Sequence, residues 1–214
     1  MVIVLFGKPG AGKGTQAPRL AAALDVPILA TGDVLRAAKR AGTKLGLEAK
    51  AYMDRGDLVP DDVILGIVKE ALTQEQFAEG AVLDGVVRTT PQAEGLDRVL
   101  AELERKVDAV LFFDVSDDEI VRRISGRTVC TVCQEPFTGH PPGAPCPKPE
   151  KDGGVLVRRQ DDEPAAVRNR LEVYRRQTEP VLDWYSCHGT PVIRIDAMGS
   201  VDDVTQRAVQ ALRL

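Results

Sequence analysis

A glycine-rich loop near the start of the sequence has residue types that could bind phosphate. Residues 7–15 read GKPGAGKGT, with glycines at Gly7, Gly10, Gly12 and Gly14. Glycine tolerates positive φ and lets a ligand approach the backbone closely. The loop follows an apolar run and opens a helix-period segment, which turns its backbone N–H groups and the positive helix end toward one place. Together with the mobile charge of Lys13, this pattern predicts a phosphate-binding loop.

The loop departs from the usual phosphate-binding pattern by one residue. In that pattern a Ser or Thr follows the lysine directly. Here Gly14 follows Lys13, and the hydroxyl arrives one residue later, at Thr15. We therefore interpret the loop as a variant of the motif, and other motifs of the chain must indicate which kind.

Arginine is the second residue type that could bind phosphate. The chain has 19 arginines and 9 lysines, and the planar guanidinium binds phosphate through a fork of donors that an ammonium lacks. The positions of the arginines along the chain are therefore more informative than the net charge.

Three of the four cysteines, Cys130, Cys133 and Cys146, lie close together in the sequence. In a reducing compartment, clustered cysteines indicate a metal before a disulfide. The C-x-x-C pair followed by a third cysteine is typical of three ligands of a zinc site. The fourth cysteine, Cys187, is predicted to be a small buried apolar residue.

The composition favours a small soluble protein without a membrane segment. The chain has 214 residues, of which 43% are hydrophobic and 28% charged, enough for one core with small insertions. No apolar run approaches the ~20 residues that span a membrane, and no charged leader precedes the first apolar run, so we expect a cytoplasmic protein with no membrane partner. The net charge of −4 does not favour a nucleic-acid partner.

Alternation of apolar runs and amphipathic segments predicts the fold class. The runs are 2–6, 28–30, 81–83, 110–113 and 192–195, and helix-period segments include 63–72, 91–104 and 165–184. Such alternation indicates an α/β fold, in which helices flank a five-stranded parallel sheet on both faces. Two segments interrupt the alternation: residues 32–60 read as helical, and residues 127–158 are rich in proline. We expect both to be small inserted domains.

Five motifs, in this order along the chain, resemble the nucleoside monophosphate kinase family and its adenylate kinase branch in particular. They are GKPGAGKGTQA, TGDVLRAA, LDGVVRTTPQA, RRISGR and RRQDDEPAAVRNRLEVY. The resemblance implies a core domain of the P-loop NTPase type at residues 1–29, 61–126 and 160–214. It also implies a monophosphate-binding insertion at residues 30–60 and a lid over ATP at residues 127–159. The implied reaction is ATP + AMP ⇌ 2 ADP, with Mg²⁺ as the cofactor of ATP.

The resemblance also implies roles for the matched residues. The expected catalytic residues are Lys13, Arg88, Arg123, Arg159 and Arg170. The expected ATP-binding residues are Gly10, Ala11, Gly12, Lys13, Gly14, Thr15, Arg127, Phe137 and Gly199. The expected AMP-binding residues are Thr31, Arg36, Asp57, Leu58, Val59, Gly85, Val86, Val87, Arg88, Gln92, Arg159 and Arg170. Asp84 would meet Mg²⁺ through water molecules.

Base preference would rest on Thr31 and Gln92, since a glutamine amide can donate and accept at the edge of adenine. Family members with a zinc lid have their fourth ligand just before a Gly-Gly pair. Here that residue is Asp152, three positions later than the usual spacing. His140 and Glu150 remain rival fourth ligands of the expected Zn²⁺.

The loop before Arg88 departs from the family pattern. The family has D-G-F-P-R-T, with an implied cis bond before the proline, whereas this chain has DGVVRT, with Val86 and Val87 in those places. A cis bond before a non-proline residue costs ~2.5–4 kcal/mol. We therefore expect a trans bond and a loop that still aims Arg88 at the AMP phosphate.

Two alternatives remain open at this point. The first is another nucleoside monophosphate kinase, specific for UMP, CMP or GMP, although Thr31, Gln92 and the long lid favour AMP. The second is a nucleotide-binding zinc module that contacts nucleic acid, although the acidic charge and few aromatic residues oppose it. We expect a monomer whose partners are ATP and AMP.

Overall fold

The computed structural model describes residues 1–148 and 153–212. Its strands, in chain order, are β1 Val2–Phe6, β2 Ile28–Ala30, β3 Ala81–Asp84, β4 Ala109–Asp114, β5 Arg127–Cys130, β6 Pro136–Thr138, β7 Leu156–Val157 and β8 Val192–Asp196. Five of them form one parallel sheet in the order β2-β3-β1-β4-β8. The five-stranded parallel sheet predicted from the apolar runs is therefore confirmed.

The helices connect these strands and cover the sheet. They are α1 Lys13–Leu24, α2 Thr31–Ala41, α3 Lys44–Arg55, α4 Asp61–Leu72, α5 Thr90–Glu102, α6 Asp117–Ser125, α7 Pro164–Val173, α8 Pro180–Cys187 and α9 Val201–Ala211. Hydroxyl side chains accept a backbone N–H bond at the starts of α3, α5, α6 and α9, as expected of N-cap residues. None of the helices in the described ranges is long and apolar enough to cross a membrane.

The core lies on both faces of the sheet. Val2, Val4 and Phe6 of β1 belong to one apolar cluster, together with Leu96 of α5 and Tyr185 of α8. The alternate residues Ile3 and Leu5 belong to a second cluster, with Leu20 of α1, Ile120 of α6 and Ala208 of α9. This alternation explains why β1 reads as one continuous apolar run, since neither of its faces meets water.

Two segments project from this core at the places where the sequence interrupts the alternation. The first carries α2 and α3, between β2 and α4. The second carries a separate antiparallel sheet in the order β6-β5-β7. The exact limits of the expected domains, 30–60 and 127–159, stay predictions.

The segment predicted as one helix over residues 165–184 has three parts. A π-helix, Tyr174–Thr178, separates α7 from α8, and Pro180 begins α8. A π-helix widens the turn by one residue, and such turns occur frequently at functional sites. This one brings Tyr174 and Thr178 to the cleft described below.

Candidate active site

The glycine-rich loop joins β1 to α1 at the carboxyl end of the sheet. Gly7, Gly10 and Gly12 have φ values of 146°, 85° and 99°, so three of the four glycines use a conformation that other residues rarely adopt. At Gly10 a Cβ would lie only 2.8 Å from Ile124. The loop therefore has the strand–loop–helix geometry that a phosphate-binding motif requires.

Gly14 has a different role from the other three glycines. It lies in the first turn of α1, and a Cβ at this position would lie 3.4 Å from Oδ2 of Asp84. Asp84 ends β3, beside Leu5 of β1. The glycine that replaces the usual Ser or Thr thus leaves space next to a carboxylate, and Thr15 carries the hydroxyl.

Lys13 and Asp84 carry opposite charges and interact with each other beside the glycine-rich loop. Burial lowers the pKa of Lys13 to about 8, against the attraction of Asp84, and Arg88 and Arg170 lower it further. Burial raises the pKa of Asp84, whereas Lys13 and Arg88 lower it. Nζ of Lys13 donates to the carbonyl of Gly7 at 2.6 Å and to that of Lys8 at 3.1 Å. Two carbonyls of the loop thus hold the ammonium of Lys13 against the loop.

Arg88 and Arg170 line the cleft, Arg159 lies close to Arg36 of its lining, and neighbouring positive charges act on all three. Burial, followed by repulsion from Arg170, lowers the pKa of Arg88 to about 10. Burial, followed by repulsion from Arg36 and Arg127, lowers the pKa of Arg159 to about 10. Nε of Arg159 is buried and has no hydrogen-bond partner among residues 1–148 and 153–212. Half-buried cations that are not fully paired suit an anionic ligand.

Two aspartates pair with part of this cluster. Nη1 of Arg170 donates to the carbonyl and to Oδ2 of Asp161, both at 3.0 Å. Arg127 of β5 donates through Nε and Nη2 to the two carboxylate oxygens of Asp162. This second pair connects the inserted sheet to the segment that leads into α7.

The loop before Arg88 is held by its own residues. In the described part of the chain no peptide bond is cis, so the bond between Val86 and Val87 is trans, which confirms the prediction. Both valine side chains are buried in the core. The N–H of Arg88 donates to Oε1 of Gln92 at 2.8 Å, and its Nε donates to the carbonyl of Gly85 at 3.2 Å.

Thr178, which the sequence analysis missed, also holds this loop. Its hydroxyl donates to the carbonyl of Arg88 at 2.8 Å, and it is the last residue of the π-helix. The two residues are 90 positions apart in the sequence, so no local pattern indicates the contact. The hydroxyl thus holds the carbonyl of Arg88, whereas Gln92 holds its N–H.

We predict that Thr178→Val lowers kcat/KM for the ligand of Arg88 by about tenfold, or ~1.4 kcal/mol. Valine keeps the shape and leaves the Arg88 carbonyl without its donor, so the guanidinium loses its orientation. Thr73→Val is the matched control, because the Thr73 hydroxyl also donates to backbone carbonyls, at the exposed end of α4. Steady-state kinetics that give equal effects for both variants would contradict a positioning role.

The cleft divides into two adjoining pockets that share Gly56, Leu58, Gly85, Arg88 and Arg170. One adjoins the glycine-rich loop and includes Gly7, Lys13, Val87, Tyr174 and Thr178. The other has an apolar part, with Leu35, Met53, Val59 and Ile64, and a charged part, with Arg36 and Arg170. The second pocket brings together these residues expected to bind AMP: Thr31, Arg36, Asp57, Leu58, Val59, Gly85, Arg88, Gln92 and Arg170.

Other expected site residues lie outside the linings of these two pockets. Arg123 of α6 donates to the carbonyls of Ala11 at 3.3 Å and Ala197 at 2.8 Å, so it links the glycine-rich loop to the segment after β8. Gly199, with φ 101°, belongs to that segment. Phe137 lies on β6 and outside both pocket linings, and Val86 lies in the core.

The three clustered cysteines converge in the inserted sheet. Sγ atoms of Cys130, Cys133 and Cys146 lie within 4.8 Å of one another. Burial raises the pKa of Cys130, but the N–H groups of Cys133 and Val132 donate to its sulfur and bring it to about 7. Three convergent sulfurs, one with a stabilised thiolate, suit Zn²⁺.

Of the three rival fourth ligands, His140 lies in the described part of the chain. Asp152 and Glu150 lie outside the described residues. His140 does not join the three sulfurs among the described groups, and its ring lies edge-on to Phe137 with centroids 6.2 Å apart.

Cys187 corrects one prediction. Its residue type predicted a buried side chain, but the side chain is exposed. Val181 and Tyr185 are the buried residues of α8, and Cys187 lies about 200° around the helix from Tyr185. The apolar character of a thiol therefore did not indicate the face on which it lies.

Comparisons with known proteins agree with this geometry. Residues 5–190 match the family model described as adenylate kinase, a span that includes both insertions. The chain is 61% identical to an adenylate kinase of Gemmatimonas aurantiaca over 100% of each chain. It is 49% identical to an adenylate kinase of Streptomyces griseus over 100% of this chain and 98% of the other. It is 47% identical to that of Thermodesulfovibrio yellowstonii over 95% of each.

Proposed function

The chain belongs to the adenylate kinase family and is an ATP:AMP phosphotransferase, and we propose how its residues divide the reaction. The observation that supports the proposal is a group of half-buried cations in and beside one cleft, Lys13, Arg88, Arg159 and Arg170, whose pKa values are all lowered by burial and by neighbouring positive charges. Without an anion, the repulsion between these positive charges is unfavourable. When phosphates enter the cleft, their negative charges make the electrostatic free energy favourable. The glycine-rich loop binds the ATP phosphates through its N–H groups, and Lys13 contributes its charge there.

The arginines position and stabilise the group that moves. Arg36 and Arg88 bind the AMP phosphate, and Arg123, Arg159 and Arg170 surround the transferred phosphoryl group, while Arg127 and Phe137 contact ATP on the lid side. Two aligned phosphates react in line, and the cations neutralise charge as it spreads over the equatorial oxygens. Positioning and electrostatic stabilisation supply the rate, so no general base is required.

Asp84 fits the role of a carboxylate near Mg²⁺. Its oxygen is a hard donor of the kind that Mg²⁺ prefers, and Gly14 leaves the adjacent space free of a side chain. Mg²⁺ bound with ATP supplies neutralisation of the phosphate charge. The positive charge of Lys13 acts on Asp84 and opposes the rise that burial causes in its pKa.

Thr31 and Gln92 read the base of AMP in the apolar part of the second pocket. Both are nearly fully buried and line it. We test this function by a coupled assay of ADP formation with AMP, CMP, UMP and GMP as acceptors. AMP is expected to give a kcat/KM at least about tenfold above the others. Equal or better use of another monophosphate would overturn the assignment of the base.

We propose that Cys130, Cys133 and Cys146 hold a structural Zn²⁺ in the lid, with Asp152 as the fourth ligand. Cys133→Ser should lose the metal and lower the melting temperature by more than about 5 °C, since the bound metal stabilises the folded lid. Metal analysis should find about one zinc per chain in the wild type. Cys187→Ser is the matched control, because this exposed cysteine lies outside the cluster.

Metal analysis of wild-type protein purified without chelators can refute the zinc site directly, by finding no zinc. If zinc is present, the fourth ligand follows from two further variants. Loss of zinc in Asp152→Ala but not in His140→Ala would support Asp152. The reverse pattern would assign His140 instead.

We propose a monomeric, cytoplasmic enzyme whose partners are nucleotides and not nucleic acids. The unpaired, clustered cysteines suit a reducing compartment, and the net charge of −4 disfavours binding to a polyanion. Gel filtration tests whether the enzyme is a monomer, and binding of a labelled oligonucleotide at low and high salt tests whether it binds nucleic acid.

A further inference from the structure

Asp61, the first residue of α4, contacts the amide of Gln92. Nε2 of Gln92 donates to Oδ1 of Asp61 at 2.7 Å, and the hydroxyl of Thr89 donates to the same oxygen at 3.0 Å. On its other side, Oε1 of Gln92 accepts from the N–H of Arg88 at 2.8 Å. The amide is thus held from both ends, in a side chain that is only 1% exposed.

These two contacts allow one orientation of the amide. An ionised carboxylate can only accept a hydrogen bond, and a backbone N–H can only donate one. Rotation of the Gln92 amide by 180° would place its oxygen against Asp61 and its NH₂ against the N–H of Arg88. Both hydrogen bonds would be lost, and two repulsive contacts would replace them. Asp61 therefore fixes which atom of Gln92 is the donor.

The fixed orientation has a consequence for the base. Adenine presents an acceptor at N1 and a donor at its 6-amino group, whereas a 6-oxopurine presents a donor at N1 and an acceptor at O6. Nε2 of Gln92 has one N–H left after the bond to Asp61, and Oε1 has one lone pair left after the bond to Arg88. This pair of free positions matches adenine, and only the rotated amide would match a 6-oxopurine.

We propose that Asp61 is a positioning residue that sets the preference of the acceptor site for 6-aminopurine over 6-oxopurine monophosphates. The inference rests on the proposed contact between Gln92 and the AMP base. Asp61 acts through Gln92 and does not touch the substrate. Removing it frees the amide to rotate, so an acceptor such as IMP gains a hydrogen-bonded partner.

The test is competition between AMP and IMP for phosphoryl transfer from ATP, with initial consumption of both acceptors measured by chromatography. In Asp61→Ala the ratio of kcat/KM for AMP to that for IMP should fall by about tenfold. Asp61→Asn keeps the shape and can present either a donor or an acceptor, so the ratio should fall at least about threefold. Asp62→Ala is the matched control: Asp62 is the next residue of the same helix, exposed, and its ratio should change less than about twofold.

The ratio separates specificity from a structural effect. A variant that merely loosens the pocket weakens both acceptors and leaves the ratio unchanged. If Asp61→Ala does not fold, the Asp61→Asn result decides the question. An unchanged ratio in a folded Asp61 variant overturns the proposal.

Gln92→Ala distinguishes failure of this inference from failure of the proposed function. If the ratio falls in Gln92→Ala and does not fall further in the double variant with Asp61→Ala, the two residues act as one unit, as we propose. If it falls in Gln92→Ala but not in Asp61→Ala, only the inference is overturned. If Gln92→Ala leaves the ratio unchanged, Gln92 does not read the base, and both proposals fail.

Discussion

Lys13→Met is expected to lower kcat by about a thousandfold, or ~4 kcal/mol of barrier, while the protein stays folded. Methionine has nearly the same length and fills the same space without a charge. The N–H groups of the loop still bind phosphate, so the loss falls mainly on the transition state, where charge spreads over the moving phosphoryl group. Circular dichroism confirms folding, and steady-state kinetics measure the loss.

The fold should tolerate this change because the charge of Lys13 is unfavourable in the cleft without a ligand. Burial lowers its pKa to about 8, well below the usual range of a lysine. A lysine whose pKa is lower in the folded than in the unfolded chain destabilises the fold below about pH 8, and this effect fades as pH rises toward the unfolded pKa. Removing the ammonium at neutral pH therefore removes an unfavourable contribution. Activity within about threefold of wild type, in a folded variant, would contradict the role of Lys13.

Proton uptake gives a second readout for the same residue. At about pH 8.5 much of Lys13 is neutral in the free enzyme, and the negative phosphates of a bound nucleotide raise its pKa again. ATP binding should therefore take up a fraction of a proton, which calorimetry detects by comparing buffers with different ionisation enthalpies. The uptake should be absent in Lys13→Met. Lys44→Met is the control, since the Lys44 side chain is 92% exposed on α3.

The central sheet could be predicted from the sequence for a physical reason. Strands that are covered on both faces must be apolar at successive positions, and this leaves a short, clearly bounded run in the sequence. The π-helix between α7 and α8 leaves no comparable pattern, because one widened turn shifts the helical period by a single residue. For that reason the sequence predicted one helix over residues 165–184.

Site residues that belong to a local motif could be predicted from the sequence. Contacts between residues far apart in the sequence could not. Lys13 and its glycines follow one another in the sequence, so the loop was identified before the fold. Thr178 contacts Arg88 across 90 positions of the sequence, and Asp61 contacts Gln92 across 31. Neither Thr178 nor Asp61 belongs to a motif that would have indicated its contact. The prediction for Cys187 failed for another reason. Its residue type indicated a buried side chain, but its position on α8 places it on the exposed face.

Arg88→Lys is expected to lower kcat/KM for AMP by about a hundredfold, although it keeps a positive charge. The guanidinium fork binds two phosphate oxygens at once, whereas an ammonium is a point charge on a flexible stem. The backbone of Arg88 is held at the N–H by Gln92 and at the carbonyl by Thr178. Because this backbone is held in place, a lysine at position 88 cannot shift to replace the two phosphate contacts of the guanidinium.

The pH dependence of this variant separates loss of geometry from loss of charge. The cleft lowers the pKa of Arg88 itself to about 10 and that of Lys13 to about 8, so a lysine at position 88 should also titrate well below its usual range. The deficit of Arg88→Lys should therefore grow as pH rises from about 7 to about 9, while the arginine of the wild type stays charged. Arg122→Lys is the matched control, because Arg122 is 79% exposed and donates to Glu119 on its own helix. Its kcat/KM should change less than about twofold at every pH. Equal losses of kcat/KM in the two variants would mean that the AMP phosphate lies elsewhere. A large loss in Arg88→Lys that does not depend on pH would mean that the two-point contact of the guanidinium, and not the charge, accounts for the whole effect.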